Sequence, residues 1–410
     1  MKYVIVLPRD VNVGKLSELC IVEASPSSSS ILNRFPLPEE SPGKTFSPYG
    51  LYVPAVNPSD FLNPSDFYTP QDIYVSVKDG VIVYDENGTL KQQYKAPTLG
   101  NVDPSAVGAM ARVDGMLYWS LTNFPLDPKK QQGLGLFRTN GASELEQILH
   151  GCAPVGPLAL HPNGDGVIFY LGDDPVHKEG RFFCYNDRSI TVSRKRDDQL
   201  KDILYPQPVG ICIDAHSVYT LGKQKDAGRE TISLTLFDHT LEEQGTYSLA
   251  LSDSVCTAFA LWNGNYNSAA IGIQGLDLGF MEQKQQCMYG IIGLENGNIA
   301  LFKSTYDNEM PSIDFIAEFD ILAKTMPRTA VRNVFAAQRR GMPKGIKDAE
   351  LVVVYDSFAL SFTSYELLTR AALEAAIGRR SEVIAIQFPN QDKRTQSFDR
   401  KIFASAFMGV

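Results

Sequence analysis

A short phrase returns along this chain at intervals of about fifty residues, and it limits the possible folds more than any other feature. The segment from Ala106 to Ser120 (AVGAMARVDGMLYWS) parallels Pro154 to Leu160 (PVGPLAL), which continues into Gly166 to Gly172 (GVIFYLG). Both parallel Pro208 to Gly222 (PVGICIDAHSVYTLG). With the glycine after valine as marker, Gly108, Gly156 and Gly210 stand 48 and 54 residues apart. Gly50 lies 58 residues earlier, and the related VCTAF of Val255 to Phe259 places Ala258 another 48 residues on.

Between the markers the chain reads as antiparallel hairpins. Ile73 to Val77, then Asp79-Gly80, Val81 to Tyr84 and Asn87-Gly88 form one such run. The same turn dipeptides recur at Asp114-Gly115, Asn140-Gly141, Asn163-Gly164, Asp165-Gly166, Asn263-Gly264 and Asn296-Gly297. Glycine supplies the positive φ that tight hairpin turns need, and Asn and Asp tolerate it. After each marker come a second strand, a longer loop and a third strand, such as Leu134 to Arg138, Phe182 to Tyr185 or Ser233 to Phe237, followed by a more polar fourth. A lone four-stranded sheet cannot bury both of its faces, so units of this kind must stack on one another.

Six or seven such units fit into the 410 residues. In this respect the chain resembles the β-propeller superfamily over nearly its whole length. It has neither the Gly-His and Trp-Asp dipeptides of WD40 repeats nor a kelch double-glycine pattern, so the resemblance stops at the architecture. It implies an all-β propeller with residues 1–410 as a single domain. Tyr3 to Leu7, Leu19 to Val22 and Ile31 to Phe35 supply three strands of a blade, and Lys401 to Phe407 is expected to close the ring as the fourth, which removes the open edge. One segment breaks the pattern: Thr363-Ser-Tyr-Glu366 has capping-box spacing, and a helix is expected over 363–378, inserted in the last blade.

Composition adds bounds. At 44% hydrophobic and 21% charged, the chain can bury a large core. No stretch reaches the roughly 18 uninterrupted apolar residues of a membrane span. Pro8 interrupts the first apolar run, so no secretory signal is expected, and the protein is expected in the cytoplasm or in a particle made there. Cys20, Cys152, Cys184, Cys212, Cys256 and Cys287 are scattered without a C-x-x-C pair and read as thiols of a reducing compartment.

Chemistry-bearing motifs are scarce. Gly43-Lys44-Thr45 lacks the earlier glycine and leading strand of a phosphate loop, and no G-x-S-x-G or H-E-x-x-H occurs. His150, His161, His177, His216 and His239 do not cluster in sequence, although His161 and His216 follow the first strands of their blades. Asp173, Asp174, Asp214 and Asp238 are imaginable metal ligands but read more simply as turn residues. The expectation is no catalytic residue, no metal and no cofactor.

Two features point to partners. The tandem NPSDF at 57–61 and 63–67 reads as an exposed loop on which Phe61 and Phe67, followed by Tyr68, are either tucked inward or displayed as a binding hot spot. From Lys324 onward there are 14 Lys or Arg against 8 Asp or Glu. Lys324, Arg328, Arg332, Arg339, Arg340, Lys344 and Lys347 follow one another with no acid between Asp320 and Asp348. With a net charge of −9 on the whole chain, that run suggests docking on an acidic neighbour, including the body of another copy. Nucleic acid is not expected, because only Phe335 interleaves the cations. The sequence therefore predicts a non-enzymatic, structural propeller engaged with other protein subunits in a large assembly such as a virion or tail. The alternatives are a propeller enzyme of the lactonase or hydrolase type and a carbohydrate-binding adhesin that takes a glycan.

Overall fold

The computed structural model describes the chain outside residues 55–71, 98–104, 124–132, 141–144, 162–165, 175–178, 187–188, 196–203, 214–216, 227–228, 264–286, 308–309, 323–325, 339–347 and 378–382, and outside the single positions 79, 114, 151, 153, 155, 254 and 410. Seven small antiparallel sheets stand in a ring, so the chain is a seven-bladed β-propeller.

Each blade is a meander whose first strand lies innermost. From the second blade onward the inner strands are Pro48–Tyr52, Ser105–Val113, Ala159–Leu160, Pro208–Ile213, Cys256–Asn263 and Asn333–Gln338. The first blade takes its inner strand from the far end of the chain. Ala404–Gly409 pairs antiparallel with Lys2–Leu7, and Glu18–Ser25 and Ser28–Pro36 complete the sheet. The closing strand thus begins three residues after the sequence expectation, beyond Phe403, whose amide donates to the Val6 carbonyl. Just before it, Arg400 is nearly buried and donates to the Pro8 and Leu16 carbonyls and to Glu18, tying the closing segment to the loop between the first two strands.

Strand alternation sends successive side chains to opposite faces. Tyr3, Ile5 and Leu7 pack with Phe335, Val352 and Val354 of the seventh blade. Val4 and Val6 of the same strand pack with Val75 and Val77 of the second. Seven apolar clusters of this kind fill the seven spaces between blades.

The repeated small residue marks the closest approach at the axis. Four inner strands slip register there, between Pro48 and Gly50, Val107 and Met110, Pro208 and Gly210, and Cys256 and Ala258. A Cβ on Gly50 would lie 2.8 Å from Ser76 Oγ and 3.2 Å from the Gly108 carbonyl of the next blade. A Cβ on Gly210 would lie 2.9 Å from the Cβ of Phe259, again in the next blade. The inner strands have one naked edge each, and side chains of neighbours cover part of it. Tyr52 Oη accepts from the Arg112 amide at 2.9 Å, Cys212 donates to the Phe259 carbonyl at 3.7 Å, and Asn333 Nδ2 donates to the Ser405 carbonyl at 3.0 Å.

Two short helices interrupt the seventh blade, α1 (Ser364–Ala376) and α2 (Gln391–Arg394). Removing residues 401–410 deletes the innermost strand of the first blade and leaves two sheet edges and two apolar layers open. The expected result is a loss of cooperative thermal unfolding, or a fall in Tm of more than about 10 °C followed by calorimetry, because several kcal/mol of buried contact is lost. An unchanged melting curve would refute ring closure.

Candidate functional site

Among the described residues a concavity lies where α1 leaves the ring. Thr363 caps the helix: its hydroxyl accepts from the Glu366 amide at 3.2 Å, and Glu366 Oε2 accepts from the Thr363 amide at 2.9 Å. This is the capping box legible in the sequence. Buried Asp348 fixes the same end by accepting from Ser364 Oγ at 2.7 Å and from the Tyr365 amide at 2.9 Å. The helix buries Leu367, Leu368, Ala371 and Ala372 against the sixth and seventh blades.

After the helix the chain returns in a short strand, Ile384–Ala385, which adds in parallel to the outer strand Met310–Asp320 of the sixth blade. The Ile386 amide extends the pairing by donating to the Asp320 carbonyl at 2.9 Å. Between this segment and α1 runs a groove of about 540 Å³, lined by Glu366, Arg370, Ala385, Ile386, Gln387, Phe388 and Pro389. That volume lies within the usual range of small-molecule sites, roughly 300–1,000 Å³.

The charges in the groove wall are arranged by pairing. Arg394 of α2 donates to both oxygens of Glu366, at 2.8 and 3.0 Å, so that carboxylate is held by the cap and by a cation and is not placed as a general base. The Arg394 guanidinium also lies over the Phe388 ring at 5.5 Å, and Phe362 stacks on that ring at 4.8 Å. Arg370 donates to the buried Glu374 at 2.6 Å yet remains 40% exposed, which makes it the accessible cation of the wall.

Other sequence candidates fall elsewhere. Phe61, Phe67, Tyr68, Arg339, Arg340, Lys344 and Lys347 lie outside the described residues, as do Lys324, His216 and Asp214. Arg328 forms a two-bond pair with Asp320 at 2.6 and 2.5 Å, and Arg332 pairs with Asp356 at 2.6 Å. These two arginines therefore find their acids at Asp320 and Asp356, on either side of the acid-free stretch. His161 and His239 approach, with ring centroids 6.3 Å apart and His161 Nε2 at 3.0 Å from the His239 carbonyl. Asp238 accepts from the Thr240 and Glu242 amides and is a turn residue. Among the described residues no three His, Cys, Asp or Glu side chains stand together as a metal site would require, and no helix is long and apolar enough to cross a membrane.

One unusual group was not legible in the sequence. Lys303, in the strand Ile299–Asp307, is 2% exposed and shares the apolar face of Ile299 and Leu301. It makes no ion pair among the described residues. Burial holds its pKa below the ordinary lysine value, against the opposing influence of Cys287 and Asp314.

No protein-family signature matches the chain, and no curated protein matches it in sequence. Some solved structures are similar to it over most of its length. A single-site mutant of the Synechocystis apocarotenoid oxygenase is 8% identical, with all of this chain and 92% of that chain covered, at a TM-score of 0.45. An uncharacterised protein of Listeria monocytogenes is 9% identical over 90% of this chain and 89% of its own, at 0.40. A chimera of the oxygenase with RPE65 is 8% identical over 88% and 86%, also at 0.40. At these values the likeness is one of fold alone.

The expectation of a non-enzymatic structural part in a large assembly is corrected here. The similar structures just described include forms of an apocarotenoid oxygenase and no virion or tail component. The physical premise also weakens, because Arg328 and Arg332 need no acidic partner from outside.

Lys303 gives a test of the packing. Its lowered folded pKa means that the unfolded chain binds the proton more tightly. Stability is therefore missing below the folded pKa and is gained as pH rises from there to the ordinary lysine value. Lys303→Met should raise Tm by a few degrees at pH 7. The gap between variant and wild type should hold below the folded pKa and narrow from there up to about pH 10.5, a difference profile that also cancels the titration of the buried thiols. A variant that melts lower than wild type at neutral pH would contradict the reading.

Proposed function

We propose that this propeller handles a small solute in the groove between α1 and residues Ala385–Pro389, the role of a solute-binding or enzymatic propeller. The groove itself carries the reading: a cleft of about 540 Å³ with an exposed cation on one wall and an open strand on the other. It supports binding more directly than chemistry, since Glu366 is immobilised by Thr363 and Arg394. A glycan suits it poorly. Sugar sites present an open aromatic face, and Phe388 is 4% exposed, with Phe362 stacked on its ring and the Arg394 guanidinium over it. An anionic group suits it better, because Arg370 is the accessible charge. None of the six cysteines is bridged, which supports the reading of a reducing compartment such as the cytoplasm.

The test is a thermal-shift screen of small carboxylates and phosphates against the wild type and Ala385→Trp. Ala385 is exposed in the groove, so the tryptophan fills the cleft without disturbing either ion pair. A ligand at a hundredfold excess over its Kd should stabilise the wild type by about 2.7 kcal/mol and leave the variant unmoved. If no ligand distinguishes the two proteins, the groove is not the site.

A further inference from the structure

The open strand along the groove says more about the solute. Ile384 and Ala385 stand opposite Phe319 and Asp320, and the Ile386 amide bonds to the Asp320 carbonyl. Peptide groups of an extended chain point alternately to its two sides. Ile384 and Ile386 therefore face the sixth blade, while Ala385 and Gln387 turn their N–H and C=O groups the other way. Both are exposed, both line the groove, and among the described residues nothing pairs with their backbones. Across the groove from this edge, α1 presents Arg370.

Resting on the reading of the groove as a solute site, we propose that its ligand is a short extended peptide with a free C-terminal carboxylate. The peptide adds as a further strand to the sixth blade, exchanging backbone hydrogen bonds with Ala385 and Gln387, and sets its carboxylate against the Arg370 guanidinium. Three features favour a peptide over another anion. The strand edge offers N–H and C=O groups in the alternation that a peptide backbone reproduces and a simple carboxylate does not. The cleft is long enough to be walled by five consecutive residues, Ala385 to Pro389. Glu366 is matched by Arg394, and Arg370, although it also pairs with Glu374, is the exposed cation lining the groove, which fixes the end of the chain at which a carboxylate belongs.

Three probes at equal concentration decide the matter by calorimetry: acetylated Ala-Leu-Ala with a free carboxylate, its C-terminal amide, and the free acid methylated on its central amide nitrogen. The free acid is expected to bind, and the amide and the N-methyl peptide to bind about tenfold more weakly or worse. Gln387→Pro removes one backbone donor at an exposed position. It should weaken the free acid to the same extent while melting as the wild type does. Equal binding of the three probes, or undiminished binding by a folded Gln387→Pro, overturns the peptide ligand. If carboxylates still stabilise the wild type but not Ala385→Trp while no peptide binds, the solute site stands and the peptide class falls. If Ala385→Trp binds every ligand as the wild type does, both fall together.

Discussion

A sheet of four strands that is apolar on both faces has nowhere to put either face except against another sheet like itself. Nearly every feature of this protein follows from that constraint. The inner four or five residues of Lys2–Leu7 are buried on both sides, and the same holds for Ile73–Val77 and Ala349–Val354. Stacking such sheets in a row would leave two faces bare at the ends. Closing the row into a ring leaves none, and seven layers of apolar contact then hold one another in place. Because each layer is shared, damage to one blade exposes surface on two neighbours.

The ring in turn dictates chemistry at its axis. Seven inner strands converge there, each with one edge unpaired within its sheet, and the blades crowd one another at particular small residues. Gly50 and Gly210 are small because the next blade stands about 3 Å from where a Cβ would be, and Gly108 because Ser120 Oγ of its own blade lies 2.7 Å from that place. The register slips beside them tilt the strands where they crowd together. The same positions that give the chain its repeat are therefore the ones at which blades meet.

How much of this could be read from residues varies with the range of the interaction. The marker spacing, the hairpin turns and the capping box at Thr363 and Glu366 are local signals, and the structure carries all three: seven blades, antiparallel meanders, and a helix from Ser364 to Ala376 within the expected 363–378. Ring closure was legible as well, since a strand-like beginning and end invite pairing. The groove was not. Its open edge belongs to Ile384 and Ala385, which join an outer strand ending at Asp320 across a helix and most of a blade, and no periodicity announces a pairing so distant. Lys303 was equally silent, because a lysine in a strand normally points to water. Nor could the sequence show how Arg332 of the cationic run is paired, since its acid, Asp356, stands 24 residues away.

The position of the closing strand governs how this molecule can be made. The first blade is laid down as Lys2–Leu7, Glu18–Ser25 and Ser28–Pro36, yet its innermost strand, Ala404–Gly409, leaves the ribosome almost four hundred residues later. At ordinary rates of synthesis that interval is roughly 20–80 s. For most of it, Tyr3, Ile5 and Leu7 lack the seventh blade that covers them, and throughout it the edge of their strand is bare. A nascent chain in this state is a template for pairing with its own polysome neighbours. The emerging chain thus carries an exposure to aggregation that ring closure removes, and holdase chaperones that act on it would bear on its yield.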